Sequence, residues 1–348
     1  MSHHIPNYRI LINDKNVTDI FQGRLISLTL KDERGNKADQ LDISLEDSDD
    51  SLTLPSKKSI IKVWLGFKQT NNINASLINN VLPTNTAQPL IYKGSFVVDS
   101  IQYGNQSGVN IMQITARSAD FKGSLKLKRE QSWDQITIKD VLSTIATRHS
   151  LIIRISDALA PLVIDHIDQT DESDLSFLNR LAKLYDALCT IKDGNLLFSE
   201  IGNGLTISGK ALDTLYIDKT QCSTYGYQTQ ERDSEYTGVQ SYWNDKKYAR
   251  RQTITAGSDE NPKVLRTTYP SELQATQAAK SEWKKVNRNQ ASMSLELAIG
   301  IPDAIPEMPV LLTGFKEQII VQKWGVESLE HSLNDKNLGT RANLVNIV

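Results

Sequence analysis

The stretch Leu41-Asp42-Ile43-Ser44-Leu45-Glu46 alternates strictly between apolar and polar side chains. A period of two places the three apolar residues on one face of an extended strand and the polar residues on the other. A strand that is buried on one face and solvated on the other is typical of an antiparallel sheet. The stretch therefore predicts β-structure with a single buried face in this part of the chain.

The flanking sequence carries the same period. Ile26, Leu28 and Leu30 alternate with polar residues, and residues 32–36 supply the Gly and Asn that a chain reversal needs, so a hairpin is predicted. Further strands are predicted at residues 8–12, 60–67, 90–101 and 109–116. About six strands bounded by turns favour a sandwich or a barrel. Residues 69–88 are rich in Asn, Thr, Ser and Pro, which predicts a long surface loop that is mobile unless a partner holds it.

The period changes after Trp133. Thr137 and Asp140 have the spacing of a helix cap and precede apolar residues at helical spacing, so a helix ending near His149 is predicted. A second helix is predicted to begin within residues 171–174 and to reach Tyr185. A hairpin follows, with its turn at residues 192–195. This segment, residues 124–203, is therefore predicted to form a small α/β module.

Strand patterns return in the rest of the chain, together with one helix. Strands are predicted at residues 204–208, 237–243, 249–255, 292–299, 310–313 and 318–331, with a tail at 340–348. The sequence Pro270-Ser271-Glu272 predicts a helix start, and this helix is expected to end by residue 289. No short-period repeat is visible.

The composition limits the function classes. A chain of 348 residues suits two or three domains, and 39 Lys plus Arg against 41 Asp plus Glu disfavour a protein devoted to nucleic acid. Cys189 and Cys222 have no metal-site spacing and are expected to be ordinary buried thiols of a reducing compartment, with a disulfide between them as the alternative. The first residues lack the features of a signal peptide, and no apolar run is long enough to span a bilayer. We therefore expect assembly in a cytoplasm and no membrane insertion.

Acidic and histidine residues are the first candidates for chemistry. One acidic cluster precedes the second helix, and capping of that helix is favoured over a metal site because the ligand order of a calcium loop is missing. A second acidic cluster lacks the Gly and Glu of an EF-hand. Single histidines are more often structural than ligands. The first cluster consists of Asp165, Asp168, Asp171, Glu172 and Asp174, the second of Asp47, Asp49 and Asp50, and the histidines are His3, His4, His149, His166 and His331.

Two further patterns are candidates for a functional site. Ser-x-x-Lys occurs at residues 59–62 and 281–284, but the partner motifs of penicillin-binding enzymes are missing. The basic residues Lys122, Lys126, Lys128 and Arg129 favour a strand edge or an interface over a nucleic-acid surface. We predict no catalytic, cofactor-binding or metal-binding residue, and no cofactor.

Several blocks of the sequence resemble, in order, the late control protein D family of contractile-tailed phages. The blocks are residues 38–47 (ADQLDISLED), 94–99 (GSFVVD), 117–126 (RSADFKGSLK), 128–133 (KREQSW), 168–174 (DQTDESD), 178–182 (LNRLA) and 192–194 (KDG). Together they are spread over most of residues 8–202.

The resemblance implies a mainly β fold that serves as a baseplate hub. Two β-barrel domains related to the tail-tube subunit are expected at residues 1–123 and 204–348, the latter with a helix near 270–289, and the α/β module lies between them. Three copies would present six barrels and join a six-fold tube to a three-fold spike. The expected partners are a second and third copy, the tail tube protein, the central spike protein and tape-measure or other baseplate proteins. DNA would only pass through the channel. We also expect Trp133 to pack the module against the first barrel.

The resemblance further implies a virion protein of the tail baseplate, made in the host bacterial cytoplasm, and not an enzyme. The type VI secretion spike protein VgrG is related, but the chain stops at Val348 without β-helical repeats, so a separate spike is expected. The alternatives are the hub of a type VI secretion-like spike, a cell-wall hydrolase that accompanies the baseplate, and a nucleic-acid-binding protein.

Overall fold

The computed structural model describes residues 4–35, 38–68, 90–118, 123–192, 194–229, 236–245, 247–288 and 290–347. The fold is mainly β, as predicted. Within these residues one 13-stranded sheet runs through both halves of the chain, and three smaller sheets lie outside it. The predicted loop at residues 69–88, His3 and Lys122 lie outside the described residues. No helix in the described ranges is long and apolar enough to cross a membrane.

The first half contributes the strands that were predicted from the alternation. Its core is formed by the inward residues of these strands, among them Leu28, Ile43, Leu65 and Ile114, which are almost fully buried. The strands and the short helix between them are β1 (Ile5–Ile12), β2 (Lys15–Asn16), α1 (Thr18–Phe21), β3 (Leu25–Glu33), β4 (Gln40–Glu46), β5 (Ile60–Lys68), β6 (Ile91–Gln106) and β7 (Val109–Ser118).

The α/β module follows a 3-10 turn at Gly123–Lys126. The predicted helix caps form, since the side chain of Thr137 accepts from the Asp140 N–H and that of Ser173 from the Ser176 N–H. The second helix begins at Asp174, and residues 171–173 belong to the preceding strand. The elements are β8 (Lys128–Thr137), α2 (Ile138–Arg148), β9 (Ile152–Ile155), β10 (Val163–Ser173), α3 (Asp174–Leu184), β11 (Ala187–Lys192) and β12 (Asn195–Glu200).

Trp133 is buried, but not where the resemblance placed it. Its ring stacks on Phe177 with centroids 6.0 Å apart, inside the core of the module itself. The expectation that Trp133 packs the module against the first half is therefore wrong. The physical reason is that β8 pairs with β10, which turns the Trp133 side chain toward α3.

The remaining elements form the second half of the large sheet and an insert. They are β13 (Leu215–Asp218), β14 (Cys222–Thr229), β15 (Gly238–Asp245), β16 (Arg250–Gly257), β17 (Pro262–Tyr269), α4 (Glu272–Asn287), β18 (Ala291–Leu297), β19 (Pro309–Thr313), α5 (Glu317–Ile320), β20 (Trp324–Leu333) and β21 (Leu338–Asn346). The strand predicted at residues 204–208 is wrong, because Leu205 makes only an isolated bridge to Ala211. The strand predicted to start at residue 318 begins at Trp324, after α5.

The insert lies between β14 and β18. Strands β15, β16 and β17 form a three-stranded sheet, and α4 covers one of its faces with Val239, Ala279 and Val286 at the centre of a small core. Polar contacts join the insert to the module, since Ser281 Oγ donates to the carbonyl of Leu184 at 2.7 Å. The insert therefore packs against the module as well as extending the second half.

The large sheet repeats one strand order. Along the sheet the strands read β14-β18-β21-β20 and then β3-β4-β7-β6. Each quartet contains its strands in the chain order first, second, fourth, third. The flanking strands also correspond, because β5 pairs with β6 and β1, while β19 pairs with β20 and β13. The two halves are therefore versions of one unit.

The two units join through β20 and β3, which pair antiparallel with Leu333 opposite Leu28 and Ser328 opposite Glu33. Each unit keeps its own core, and that of the second unit includes Met293, Trp324 and Leu344. Within the described residues neither unit closes into a ring of paired strands. The mainly β class is thus confirmed, and each half of the chain forms one sheet unit.

Candidate functional site

A group of charged side chains lies where the first unit, the module and the second unit meet. We call Asp32, Asp39, Lys93 and Lys192 the charged junction. Lys192 at the end of β11 lies 2.8 Å from an Asp39 oxygen and 3.2 Å from an Asp32 oxygen. Lys93 on β6 donates to the carbonyls of Pro302 at 3.1 Å and of Ala304 at 3.0 Å, in the second unit. The junction therefore ties three parts of the chain together.

The electrostatics of the charged junction are those of one lysine shared by two buried carboxylates. Burial and the charge of Asp32 raise the pKa of Asp39, although Lys192 opposes the shift. Burial alone would lower the pKa of Lys192, but the charges of Asp32 and Asp39 outweigh it and raise that pKa above its ordinary value. Burial lowers the pKa of Lys93. Such shifts are expected for charges in a low-dielectric contact between domains.

A cavity of about 360 Å³ opens beside the charged junction. On its rim, Arg34 lies 3.2 Å from Glu307, and the second carboxylate oxygen of Glu307 accepts from the N–H of Gly202 at 2.6 Å. Glu307 thus links the first unit to the end of the module. These residues could not be predicted from the sequence, since Lys192 and Asp32 are 160 positions apart and no local pattern connects them.

The first acidic cluster is held by cations and polar groups of the module. Asp174 is fully buried and accepts from Arg148 at 2.9 Å, Arg129 at 3.1 Å and Gln169 at 2.8 Å, with His149 Nε2 at 2.7 Å. Burial would raise the pKa of Asp174, but the hydrogen bonds and the charge of Arg148 lower it. Asp174 therefore fastens β8, β10 and the end of α2 to the start of α3.

The other carboxylates of that cluster lie on β10 and are not gathered around one point. His166 bridges Asp134 at 2.5 Å and Asp168 at 3.1 Å on the exposed face, and those hydrogen bonds raise the pKa of His166. Asp171 pairs with Lys128 at 2.8 Å. Asp165 accepts a hydrogen bond from Gln135, and Glu172 pairs with Arg180. No group of metal-ligating residues occurs in the described ranges.

The second acidic cluster is also engaged. Arg24 donates to both oxygens of Asp49 at 2.6 Å, which lowers the pKa of that carboxyl. Asp47 accepts from the N–H of Leu52 at 3.0 Å. Asp50 accepts from the Tyr103 hydroxyl, and this hydrogen bond raises the pKa of Tyr103 to about 12. The cluster fixes the turn after β4.

The serines of the two Ser-x-x-Lys sequences make structural contacts. Lys62 pairs with Asp14 at 2.6 Å on the surface, while Ser59 contacts Asn13. Ser281 donates to the Leu184 carbonyl, the contact that joins the insert to the module. His331 is buried against Thr340 at 2.9 Å, and burial, aided by the charge of Lys93, lowers its pKa well below the ordinary value.

Two residues of the basic stretch form ion pairs, and the two cysteines differ in burial. Lys128 and Arg129 lie on β8 and form the ion pairs with Asp171 and Asp174. Cys189 is buried in the module, where burial raises its pKa to about 12, and Cys222 is half-buried at the start of β14. Both are free thiols.

Several strand edges of the large sheet lack a neighbour within the described residues, and two of them are long and almost fully exposed. Strand β14 pairs only with β18, and seven of its eight residues are exposed. Strand β6 pairs with β5 only as far as Val97, so residues 99–106 pair with β7 alone, and seven of these eight are also exposed. Unpaired edges of this length are templates for a further strand.

The arrangement of two sheet units, an α/β module and an insert is a tail-protein fold. The structure aligns with the tail protein from Neisseria meningitidis MC58 with a TM-score of 0.66 and 11% identity, covering 98% of this chain and 97% of that one. It also aligns with the E. coli c3393 protein, a component of the type VI secretion system, with a TM-score of 0.53 and 10% identity over 99% of this chain and 77% of that one.

Sequence comparison narrows the class to a family. The family model of the phage tail baseplate hub (GPD) matches residues 97–337. The chain is 33% identical to the probable baseplate hub protein of Escherichia phage 186 over 96% of its own length and 91% of that protein. The chain belongs to the phage tail baseplate hub family, and the resemblance read from the sequence is confirmed.

Proposed function

We propose that three copies of this chain form a closed ring that joins the tail tube to the central spike. The protein acts as a structural hub and not as an enzyme, and DNA passes through its channel without being held. In this proposal the hub is assembled in the cytoplasm of the host bacterium, where it meets the tube, the spike and the tape-measure or other baseplate proteins. The family membership and the baseplate hub relatives support this role.

The observation that carries the proposal is the repeat of strand order together with the two free edges. Inside one chain, the end of β20 pairs with β3 and so joins the second unit to the first. The equivalent of β20 in the first unit is β6, and the equivalent of β3 in the second unit is β14. The free segment of β6, residues 99–106, and the free edge of β14 are therefore the two strands that would make the same junction between copies.

This pairing explains why a chain with two units suits a hub. Each chain would add eight strands to one continuous sheet, from β14 to β6, and the contact is head to tail, so it closes only if the rotation per copy fits. Three copies supply six units, which matches a six-fold tube, while the trimer matches a three-fold spike. Closure also removes both exposed edges, which would otherwise promote aggregation.

The proposal is tested by measuring mass and amide exchange of the purified protein, alone and with its spike. Light scattering is expected to give a trimer with the spike. Hydrogen–deuterium exchange is expected to slow in residues 99–106 and Cys222–Thr229 on assembly, because their free backbone groups become paired. Strand β9, which is also paired on one side only, is the control and is expected to keep its rate.

A stable dimer in the presence of the spike would contradict the proposal, since two copies cannot supply six units. A trimer in which neither edge gains protection would contradict the head-to-tail pairing. The channel wall is expected to be polar, so that DNA and a tape-measure protein slide past it.

A further inference from the structure

The two units of the large sheet share a local irregularity that aligns β20 with β6 residue by residue. The pairing of β20 with β21 shifts in register directly after Val326, and the pairing of β6 with β7 shifts directly after Val98. A β-bulge has a defined place in its strand, so its recurrence shows which residues correspond. Counted from the bulge, His331 in β20 corresponds to Tyr103 in β6.

A second irregularity aligns the partner strands in the same way. The pairing of β3 with β4 shifts in register directly after Leu25, and the pairing of β14 with β18 shifts directly after Cys222. Counted from these two residues, Leu30 in β3 corresponds to Tyr227 in β14. The junction that joins the two units inside the chain can therefore be transferred, residue by residue, to the two free edges.

The transferred register makes a specific statement about the contact between copies. Inside the chain, β20 pairs with β3 so that His331 lies opposite Leu30. We propose that neighbouring copies pair in this one register, with Tyr103 of one copy opposite Tyr227 of the next and their side chains in contact. This inference rests on the head-to-tail ring proposed above and specifies which residues meet in it.

The exposure of the two tyrosines supports this register. At the junction inside the chain, His331 and Leu30 are 0% and 1% exposed, because the pairing of β20 with β3 covers them. Tyr103 and Tyr227 hold the equivalent positions at the free edges, and they are 45% and 36% exposed. Large side chains thus stand exposed at the positions that a paired neighbour would bury.

Both tyrosines also lie on the core side of the sheet. Tyr103 is the cross-strand partner of Met112, and Tyr227 is that of Met293, and both methionines are 1% exposed. Cross-strand partners share a face of the sheet, so the two rings would meet where the cores of neighbouring units adjoin. Tyrosine suits such a place because it combines a large apolar ring with a polar hydroxyl.

The same register brings two amides together on the outer face. Lys31 and Glu330 lie opposite each other at the junction inside the chain and form an ion pair of 3.8 Å. Their equivalents at the free edges are Gln228 and Gln102, and both are exposed. Each amide has donors and an acceptor, so the two can hydrogen-bond without charge. These two exposed positions are suitable for a direct test of the register.

The test is disulfide cross-linking of the full chain assembled with its spike. Gln102→Cys combined with Gln228→Cys places the two thiols on directly opposite residues, with Cα atoms about 5 Å apart, which a disulfide can bridge. Gln106→Cys combined with Gln228→Cys is the matched control, on the same face but four residues out of register, roughly 13 Å along the strand. Both proteins also carry Cys222→Ser, which removes the half-buried thiol at the start of β14.

Oxidation of the first protein is expected to give a covalent trimer on a non-reducing gel, and oxidation of the control protein is expected to give none. A covalent trimer from the control protein would overturn the register and leave the ring standing. The absence of any cross-link, in a complex that light scattering shows to be trimeric, would do the same. A complex with the spike that contains no trimer would overturn the register and the ring together.

A substitution tests the contact between the tyrosines without oxidation. Tyr227→Ala is expected to raise the protein concentration needed for half-assembly with the spike about tenfold or more, because a buried aromatic is a typical hot spot of an interface. Tyr92→Ala is the control, since Tyr92 is 41% exposed at the other end of β6, outside the free segment, and is expected to leave that concentration unchanged. An unchanged concentration in Tyr227→Ala, or an equal rise in both variants, would overturn the proposed contact.

Discussion

Replacing Lys192 with methionine would measure how much the charged junction contributes to holding the module on the first unit. The substitution keeps the aliphatic stem and removes the one cation that two buried carboxylates share. The side chains of Asp32 and Asp39 are only 6% and 8% exposed, so their charges would remain with little solvent. Breaking a buried pair in this way costs roughly 3 to 5 kcal/mol.

Two features reduce this cost in free energy: the partial exposure of Lys192 and, toward low pH, the protonation of Asp39. The Lys192 side chain is 33% exposed, so solvent screens part of its attraction, and the expected loss in free energy of unfolding is about 2 to 3 kcal/mol at neutral pH. The pKa of Asp39 is already raised, and without Lys192 it rises further. A carboxyl with a raised folded-state pKa favours the fold at low pH and loses that contribution as pH rises, so the deficit of the variant should shrink toward pH 5.

The assay is urea unfolding of a double-mutant cycle made of Lys192→Met, Asp39→Asn and their combination. Because Lys192 and Asp39 share one ion pair, we expect the double variant to be more stable than the sum of the single losses predicts. Lys62→Met removes an exposed pair with Asp14 and is the matched control, with an expected cost under about 1 kcal/mol. Strictly additive losses, or a Lys192→Met cost equal to that of Lys62→Met, would refute the reasoning.

Three other predictions concern the module and the insert. Trp133→Ala should cost roughly 3 to 5 kcal/mol because the ring is 3% exposed and stacks on Phe177, and an unchanged melting temperature would contradict its burial. Asp174→Asn should cost about 2 to 3 kcal/mol at pH 7; since the pKa of Asp174 is lowered in the fold, its contribution is lost as pH falls below about 4, and unfolding at several pH values checks this. Gly257→Ala should destabilise the insert by about 1 to 3 kcal/mol, because Gly257 has φ +89° and an added Cβ would lie 2.7 Å from the Thr237 carbonyl; circular dichroism melting would measure the loss.

Local patterns in the sequence predicted the elements whose side chains sort cleanly between core and solvent. The alternation of Leu41, Ile43 and Leu45 corresponds to β4, where all three are buried. The Thr137 cap and the helical spacing after it correspond to α2. These predictions succeeded because burial of one face imposes a period that is visible over a few residues.

Strand β14 is among the elements that were missed. Strand β14 has no alternation, because it is an edge strand with seven exposed residues, so its sequence is not constrained by a core. The charged junction could not be predicted, since its ion pairs join residues more than 150 positions apart. The repeat of strand order was also hidden, because the α/β module separates the two units and the insert interrupts the second unit between its first and second strands.

The way in which the insert leaves the sheet has a consequence for how such chains diversify. Thr229 at the end of β14 and Ala291 at the start of β18 are cross-strand partners, so the chain departs and returns at neighbouring points about 5 Å apart. A segment inserted between these two residues needs only to begin and end about as close together as the ends of a hairpin loop. Related chains can therefore carry a longer, shorter or different segment here while β14 and β18 keep their register. Its contacts with the module, such as the pair of Arg288 with Asp186 at 2.6 Å, are the positions that a replacement would have to preserve or resupply.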